Sequence, residues 1–155
     1  MLNVTGTETK KSFSILLIED NRADAGLVRE ALNENTIPGE CVVIEDGDAA
    51  IRYIEEIEAD NAARCPDLTI IDLNLPKVPG LEVLRALRRS ARCRDALVVI
   101  LSSSDIQADR DSALRLGASR YIRKPLRLEE FMRLGAVFRS LLETDPHRGS
   151  TFRPR

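Results

Sequence analysis

The chain has 155 residues, a net charge of −2 and 31% charged residues, so cationic and anionic side chains nearly balance. That length suits one domain, and a balanced surface argues against an electrostatic footprint for nucleic acid. Hydrophobic residues make up 43%, enough for a sizeable core, yet no window reaches the roughly 18–20 apolar residues of a membrane helix.

Cysteine and histidine usage narrows the chemistry. Cys41, Cys65 and Cys93 form an odd count without a CxxC pair, which points away from a disulfide framework or zinc site and towards reduced packing residues of a cytoplasmic protein. His147 is the only histidine and lies in a polar tail. Multi-histidine metal sites are thereby excluded and a Ser/His/Asp triad is disfavoured. The stretch 1–11 is polar, lacks the apolar core of a secretory signal and is expected to be disordered, as is 145–155. One domain over 12–144 remains.

Within it, short apolar runs alternate with helix-like segments. Phe13 to Ile18 is a continuous run followed by Glu19-Asp20, and Asn21 can cap a helix carrying Leu27, Val28, Ala31 and Leu32. Pro38-Gly39 breaks the chain before the second run, Cys41 to Ile44, and Asp46 or Asp48 can cap a helix with Ala50, Ile51, Ile54 and Ile57. The third run, Leu68 to Leu73, is interrupted by Asp72; Pro76 and Pro79-Gly80 form a loop, and Leu81, Leu84 and Leu87 mark the next helix. Arg85, Arg88, Arg89, Arg92 and Arg94 read most simply as a solvated helix face and loop. Ala96 to Leu101 is the fourth run and ends in Ser102-Ser103-Ser104; Asp105 can cap the helix that Gly117 terminates. A short fifth run, Ser119 to Ile122, leads to Lys124-Pro125 and a last helix from about Arg127 to Glu143.

Runs that are continuous rather than alternating are buried on both faces of a sheet. Five β–α units in series therefore predict an α/β fold: a flavodoxin-like, doubly wound five-stranded parallel sheet, order 2-1-3-4-5, with helices on both faces. Ligands of such sheets bind outside the carboxyl ends of the strands. There the first strand presents Glu19-Asp20, the third Asp72, the fourth Ser102 and the fifth Lys124. Three crowded carboxylates repel and need a cation, and an oxygen-only ligand set suits Mg2+. Asp72, between the others, is the candidate nucleophile, with an acyl phosphate as product. Ser102 can donate to a phosphoryl oxygen, and Lys124 can neutralise another, its charge being useful only with phosphate present.

These residues carry a resemblance. From about Phe13 to Leu142 the chain resembles the receiver domain family of two-component signalling, through Leu16-Leu17-Ile18-Glu19-Asp20-Asn21, the stretch from Pro66 to Pro76, Leu101-Ser102, and the stretch from Gly117 to Pro125. The resemblance implies Asp72 as phospho-acceptor, Glu19, Asp20, Asp72 and the Asn74 backbone carbonyl as Mg2+ ligands, and Ser102, Lys124 and Tyr121 as phosphate-binding and switch residues. It further implies a cis Lys124-Pro125 bond. Pro79 stands where the family often has Asp, which should alter the loop and not the chemistry. Asn21-Arg22-Ala23-Asp24, Asp72 to Lys77 and Ser102-Ser103-Ser104 are similar to stand-alone receivers paired with phytochrome-type histidine kinases.

A histidine kinase is thus the expected phosphoryl donor, and the surface of the fourth helix, fifth strand and fifth helix the expected output, since no further domain follows in this chain. An aspartyl-nucleophile phosphohydrolase is the enzymatic alternative, but it would carry an Asp two residues after the nucleophile, where Asn74 stands. A receiver that serves only as a scaffold is the other alternative. A homodimer is expected through the last helix, where Leu128, Phe131, Met132, Leu134, Val137, Phe138, Leu141 and Leu142 give an apolar surface wider than one stripe.

Overall fold

A computed structural model describes residues 12–144; the segments 1–11 and 145–155, with the expectations of disorder attached to them, lie outside the described residues. In chain order the elements are β1 (Phe13–Ile18), α1 (Arg22–Glu34), β2 (Gly39–Ile44), α2 (Gly47–Ala59), β3 (Leu68–Ile71), α3 (Gly80–Arg89), β4 (Leu97–Ser102), α4 (Gln107–Arg115), β5 (Arg120–Arg123) and α5 (Leu128–Thr144). The five strands are parallel in the order β2-β1-β3-β4-β5, as the sequence predicts.

The side-chain alternation of a strand divides the core between the two faces of the sheet. Leu16 and Ile18 of β1, Ile71 of β3 and Val98 and Ile100 of β4 pack under α2 and α3. Ile15 and Leu17, Leu68 and Ile70, and Val99 and Leu101 face the other way, against α1 and α5. β3 and β4 are buried along their whole length, whereas the edge strands β2 and β5 are only half covered. The reading of every run as buried on both faces holds for the three central strands alone.

The helix starts follow local chemistry. Asn21 accepts from the Asp24 N–H at 3.0 Å and Asp46 from the Ala49 N–H at 2.7 Å, so both helices begin on a side-chain cap. Pro79 offers α3 no such cap, the local consequence of the missing Asp. Asp105 does not cap α4: the cap position falls on Ile106, and the neighbouring Ser104 hydroxyl accepts from the Ile106 N–H at 3.3 Å. The Lys124-Pro125 bond is trans, there being no cis peptide among the described residues; the intrinsic preference for trans, about 0.5–1 kcal/mol, prevails.

α5 buries Phe131, Leu134, Gly135, Phe138 and Leu142. The apolar breadth of α5 serves two neighbours in its own chain, the sheet and α1. Gly135 is where α1 comes closest: a Cβ there would stand 2.2 Å from the Ala31 carbonyl oxygen and 2.1 Å from Asn35 Nδ2. Met132, Val137 and Leu141 are half-buried, and Leu128 is 60% exposed.

Two expectations are overturned at the amino end of the strands. Cys65 and Cys93 form a disulfide, with Cα atoms 5.6 Å apart; Cys41 remains a thiol. An odd count says nothing of which turns meet in space, and the segments before β3 and β4 lie side by side because those strands pair. Nor are all the arginines solvated. Arg88 donates to the carbonyls of Arg94, Ala96, Leu116 and Gly117 at 2.6–3.1 Å, and Arg92 to those of Ile57, Asp60 and Ala63. These carbonyls end helices or occupy loops, where the regular backbone hydrogen bonding runs out. Closing a loop across 28 positions constrains the unfolded chain by roughly 3–4 kcal/mol. Reduction with a dithiol should therefore lower the unfolding free energy by about 2–4 kcal/mol in urea titrations, and a Cys65→Ser variant should lose a similar amount and become insensitive to reductant. Equal stability of oxidised and reduced protein would contradict the cross-link.

Candidate metal and phosphoryl site

Glu19, Asp72 and Lys124 are each placed by a ladder hydrogen bond just past a strand end. Glu19 N donates to Ile44 O at 3.0 Å, Asp72 N to Ile18 O at 3.0 Å and Lys124 N to Ser102 O at 2.8 Å. The sheet register thus extends to the functional side chains. Gly80 allows α3 to begin directly beneath: a Cβ there would lie 2.2 Å from the Asp72 carbonyl oxygen, so this glycine serves a close approach as well as a turn.

Glu19 and Asp72 are buried and Asp20 is exposed, and the three can bring one carboxylate oxygen each within 4.8 Å of one another. Lys124 Nζ lies among them, 2.5 Å from Glu19 Oε1 and 2.9 Å from Asp72 Oδ2. A third carboxylate reaches the same ammonium, Asp24 Oδ2 at 2.8 Å. The expectation that the charge of Lys124 is useful only with phosphate is corrected here: it is fully engaged by carboxylates. Sequence reasoning missed Asp24 in this role. The available signal was its place in the first turn of α1, three residues after the cap that ends the β1 rim.

Proton affinities follow from this crowding. Burial pushes the Glu19 carboxyl up to about 7; the Lys124 hydrogen bond opposes the rise and Asp72 adds to it. Burial also raises Asp72, but hydrogen bonds with Glu19 and Lys124 outweigh it and hold that carboxyl below its usual range. For Lys124, burial favours the neutral amine, and hydrogen bonds to Asp24, Glu19 and Asp72 overcome this and keep the pKa above normal. A buried ammonium thus stands beside an ionised Asp72, and Glu19 holds its proton more readily than a free carboxyl does.

Glu19 Oε2 is buried without a hydrogen-bond partner. A buried carboxylate oxygen in that condition costs free energy, and a hard cation shared with Asp20 and Asp72 would satisfy it. The oxygen-only donor set fits Mg2+, so the pocket is compatible with both metal binding and phosphorylation. Asp72 Oδ1 accepts from the Asn74 N–H at 3.2 Å, which orients the carboxylate and places Asn74 beside the cluster.

Ser102 is fully buried, and its Oγ accepts from the Ser104 N–H at 3.2 Å. The Ser104 carbonyl accepts from the Tyr121 hydroxyl at 2.9 Å, and the Arg110 guanidinium carbon lies 5.0 Å from the centroid of the tyrosine ring. The expected site residues therefore form two connected groups: Glu19, Asp20, Asp72 and Lys124 around the acidic pocket, and Ser102 joined to Tyr121 through Ser104.

Residues 15–134 match the response regulator receiver domain. The chain is 35% identical over 121 residues to response regulator Rcp1 of Synechocystis sp., covering 77% of this chain and 82% of that protein. The crystal structure of the phosphorylated cyanobacterial phytochrome response regulator RcpA superposes with a TM-score of 0.77 at 35% identity, over 86% of this chain and 96% of that one. The Mn2+-bound form of Rcp1 gives 0.76 at 32% identity over the same shares. With the acidic rim in place and relatives this similar over most of both chains, the chain belongs to the response regulator receiver domain family.

Proposed function

We propose that Asp72 accepts a phosphoryl group from a histidine kinase and that the change is passed to the α4–β5–α5 surface. The observation that carries this is the Asp72 carboxylate, buried at the end of a central strand, held ionised by Lys124 and next to an unpartnered Glu19 oxygen. An Asp72 oxygen attacks phosphorus, the P–N bond to the donor imidazole breaks, and the imidazole leaves with a proton. Glu19, Asp20, Asp72 and the Asn74 carbonyl would hold Mg2+, which supplies charge neutralisation for the transferring group. Lys124 neutralises a second phosphoryl oxygen. Ser102 turns its hydroxyl to donate to a third, and the movement of Oγ towards the phosphoryl group draws it away from the Ser104 N–H that it now accepts from, releasing the loop that holds Tyr121.

The similarity to phytochrome response regulators supports a phytochrome-type kinase as donor. Among the described residues no helix is long and apolar enough to cross a membrane. Autodephosphorylation by water completes the cycle, and the phosphoryl group can serve either an effector or a relay. A homodimer belongs to the same reading, supported by Leu126 and Leu128, 97% and 60% exposed at the start of α5, rather than by the breadth of that helix.

Acetyl phosphate with Mg2+ should label the wild type stoichiometrically at a single site and leave Asp72→Asn unlabelled; equal labelling of the variant overturns the assignment. Turnover of varied phosphoesters would instead favour the phosphohydrolase. Because Mg2+ must displace the Glu19 proton, its apparent affinity should rise about tenfold per pH unit below the Glu19 pKa of about 7 and level off above it. Calorimetric titrations that give one affinity from pH 5.5 to 8.5, about the range in question, would refute that competition. Light scattering at tens of micromolar should report a dimer mass; a monomer with and without acetyl phosphate removes the dimer.

A further inference from the structure

We propose that Asp24 is a positioning residue for phosphoryl binding: it is the anchor that keeps Lys124 beside Asp72 while the other two partners of the ammonium are exchanged. The inference rests on the reading of Asp72 as phospho-acceptor. An ammonium has three hydrogens, and here Glu19, Asp24 and Asp72 take all three, at 2.5, 2.8 and 2.9 Å. Lys124 therefore has no donor left for a phosphoryl oxygen until one of these bonds is given up.

The three partners differ in what happens to them. Glu19 and Asp72 belong to the group whose oxygens converge as cation ligands. Asp72 also loses its carboxylate charge when an acyl phosphate forms, so its hold on the ammonium weakens as phosphoryl oxygens appear. Asp24 is outside that converging group and undergoes no chemistry. Its place is fixed from another element, since its backbone N–H donates to the Asn21 cap at the start of α1. It is 27% exposed where Glu19, Asp72 and Lys124 are each under a tenth exposed, so its charge remains partly hydrated throughout. The Lys124 stem is long and flexible; without a fixed anchor its ammonium would follow the metal-bound carboxylates or leave for solvent. With Asp24 in place, Lys124 pivots from an Asp72 oxygen to a phosphoryl oxygen without leaving the pocket.

The test uses beryllofluoride as a phosphoryl analogue and compares its affinity, in saturating Mg2+, with the affinity for Mg2+ alone, both by calorimetry. Asp24→Asn should weaken beryllofluoride about tenfold and shift the Mg2+ affinity less than threefold. Asp24→Glu should recover part of the loss, and Asp24→Asn should cost nothing further in a Lys124→Ala background, because the two residues act through one bond. Three results would overturn the inference: unchanged or tighter beryllofluoride binding by Asp24→Asn, equal losses for Mg2+ and beryllofluoride, or the full tenfold loss persisting without Lys124. A wild-type protein that binds Mg2+ but not beryllofluoride would overturn the phospho-acceptor reading itself.

Discussion

The Lys124 ammonium inside a ring of carboxylates is the interaction on which the site depends. A buried charge without partners costs several kcal/mol, and removing one partner of a buried pair commonly costs about 3–5 kcal/mol. Here the charges come from the ends of β1, β3 and β5 and from the first turn of α1. No local segment could assemble them. Only a parallel sheet with β1 between β2 and β3, in the observed register, brings Glu19, Asp72 and Lys124 to one rim. A one-residue slip of β5 against β4 would turn Lys124 to the opposite face. The Lys124 N–H bond to the Ser102 carbonyl closes the ladder at that point and guards against the slip.

The same ladder explains why the second group of residues can respond to the first. Ser102 and Lys124 are backbone partners, so whatever draws the Ser102 hydroxyl acts on the loop directly beside Lys124. That loop is held by single side-chain bonds: Ser102 Oγ to the Ser104 N–H, the Ser104 hydroxyl to Asp109 at 2.8 Å, and the Tyr121 hydroxyl to the Ser104 carbonyl. Ser104 is common to all three. Nothing in the Ser102-Ser103-Ser104 run itself distinguishes Ser103 from Ser104; the structure gives Ser104 this position and leaves Ser103 exposed. Arg110, over the tyrosine ring, adds an attraction of about 0.5–1 kcal/mol that a moving ring has to exchange for another.

What could be read from the sequence was what depends on periodicity and strand ends. Glu19, Asp20, Asp72, Ser102 and Lys124 each follow an apolar run, and the parallel fold sends such positions to one edge. Asp24 was harder to see, because its role requires knowing that the first turn of α1 leans back over the β5 end. Cys65 and Cys93 were misread for a related reason: 28 positions separate them, and the meeting point exists only once β3 pairs with β4. Arg88 and Arg92 look like any charged helix face until the carbonyls they reach, from Ile57 to Gly117, are placed around them. Topology followed from local pattern in every case; contacts between turns did not.

The two ends of the sheet are built for different tasks. At the amino end, the Cys65–Cys93 disulfide and the guanidinium clamps of Arg88 and Arg92 tie α2, α3 and the loops before β3 and β4 together. At the carboxyl end, α4 buries only Ala113, whereas α1, α2 and α3 each bury four residues. Moving α4 therefore exposes little apolar surface, and elements with few buried contacts open most readily. Shifting a two-state element from about 1% to 99% requires a differential of roughly 5.5 kcal/mol. Charge-assisted hydrogen bonds contribute about 1.5–3 kcal/mol each, so new bonds from Ser102 and Lys124 to a phosphoryl group are of the right size to move the first turns of α4, whose last turn stays tied to Arg88 through the Leu116 and Gly117 carbonyls. Under the proposed phosphorylation of Asp72, this division would confine the response to the face that carries Ile106 and Leu114, exposed on and beside α4, with the rest of the sheet as its frame.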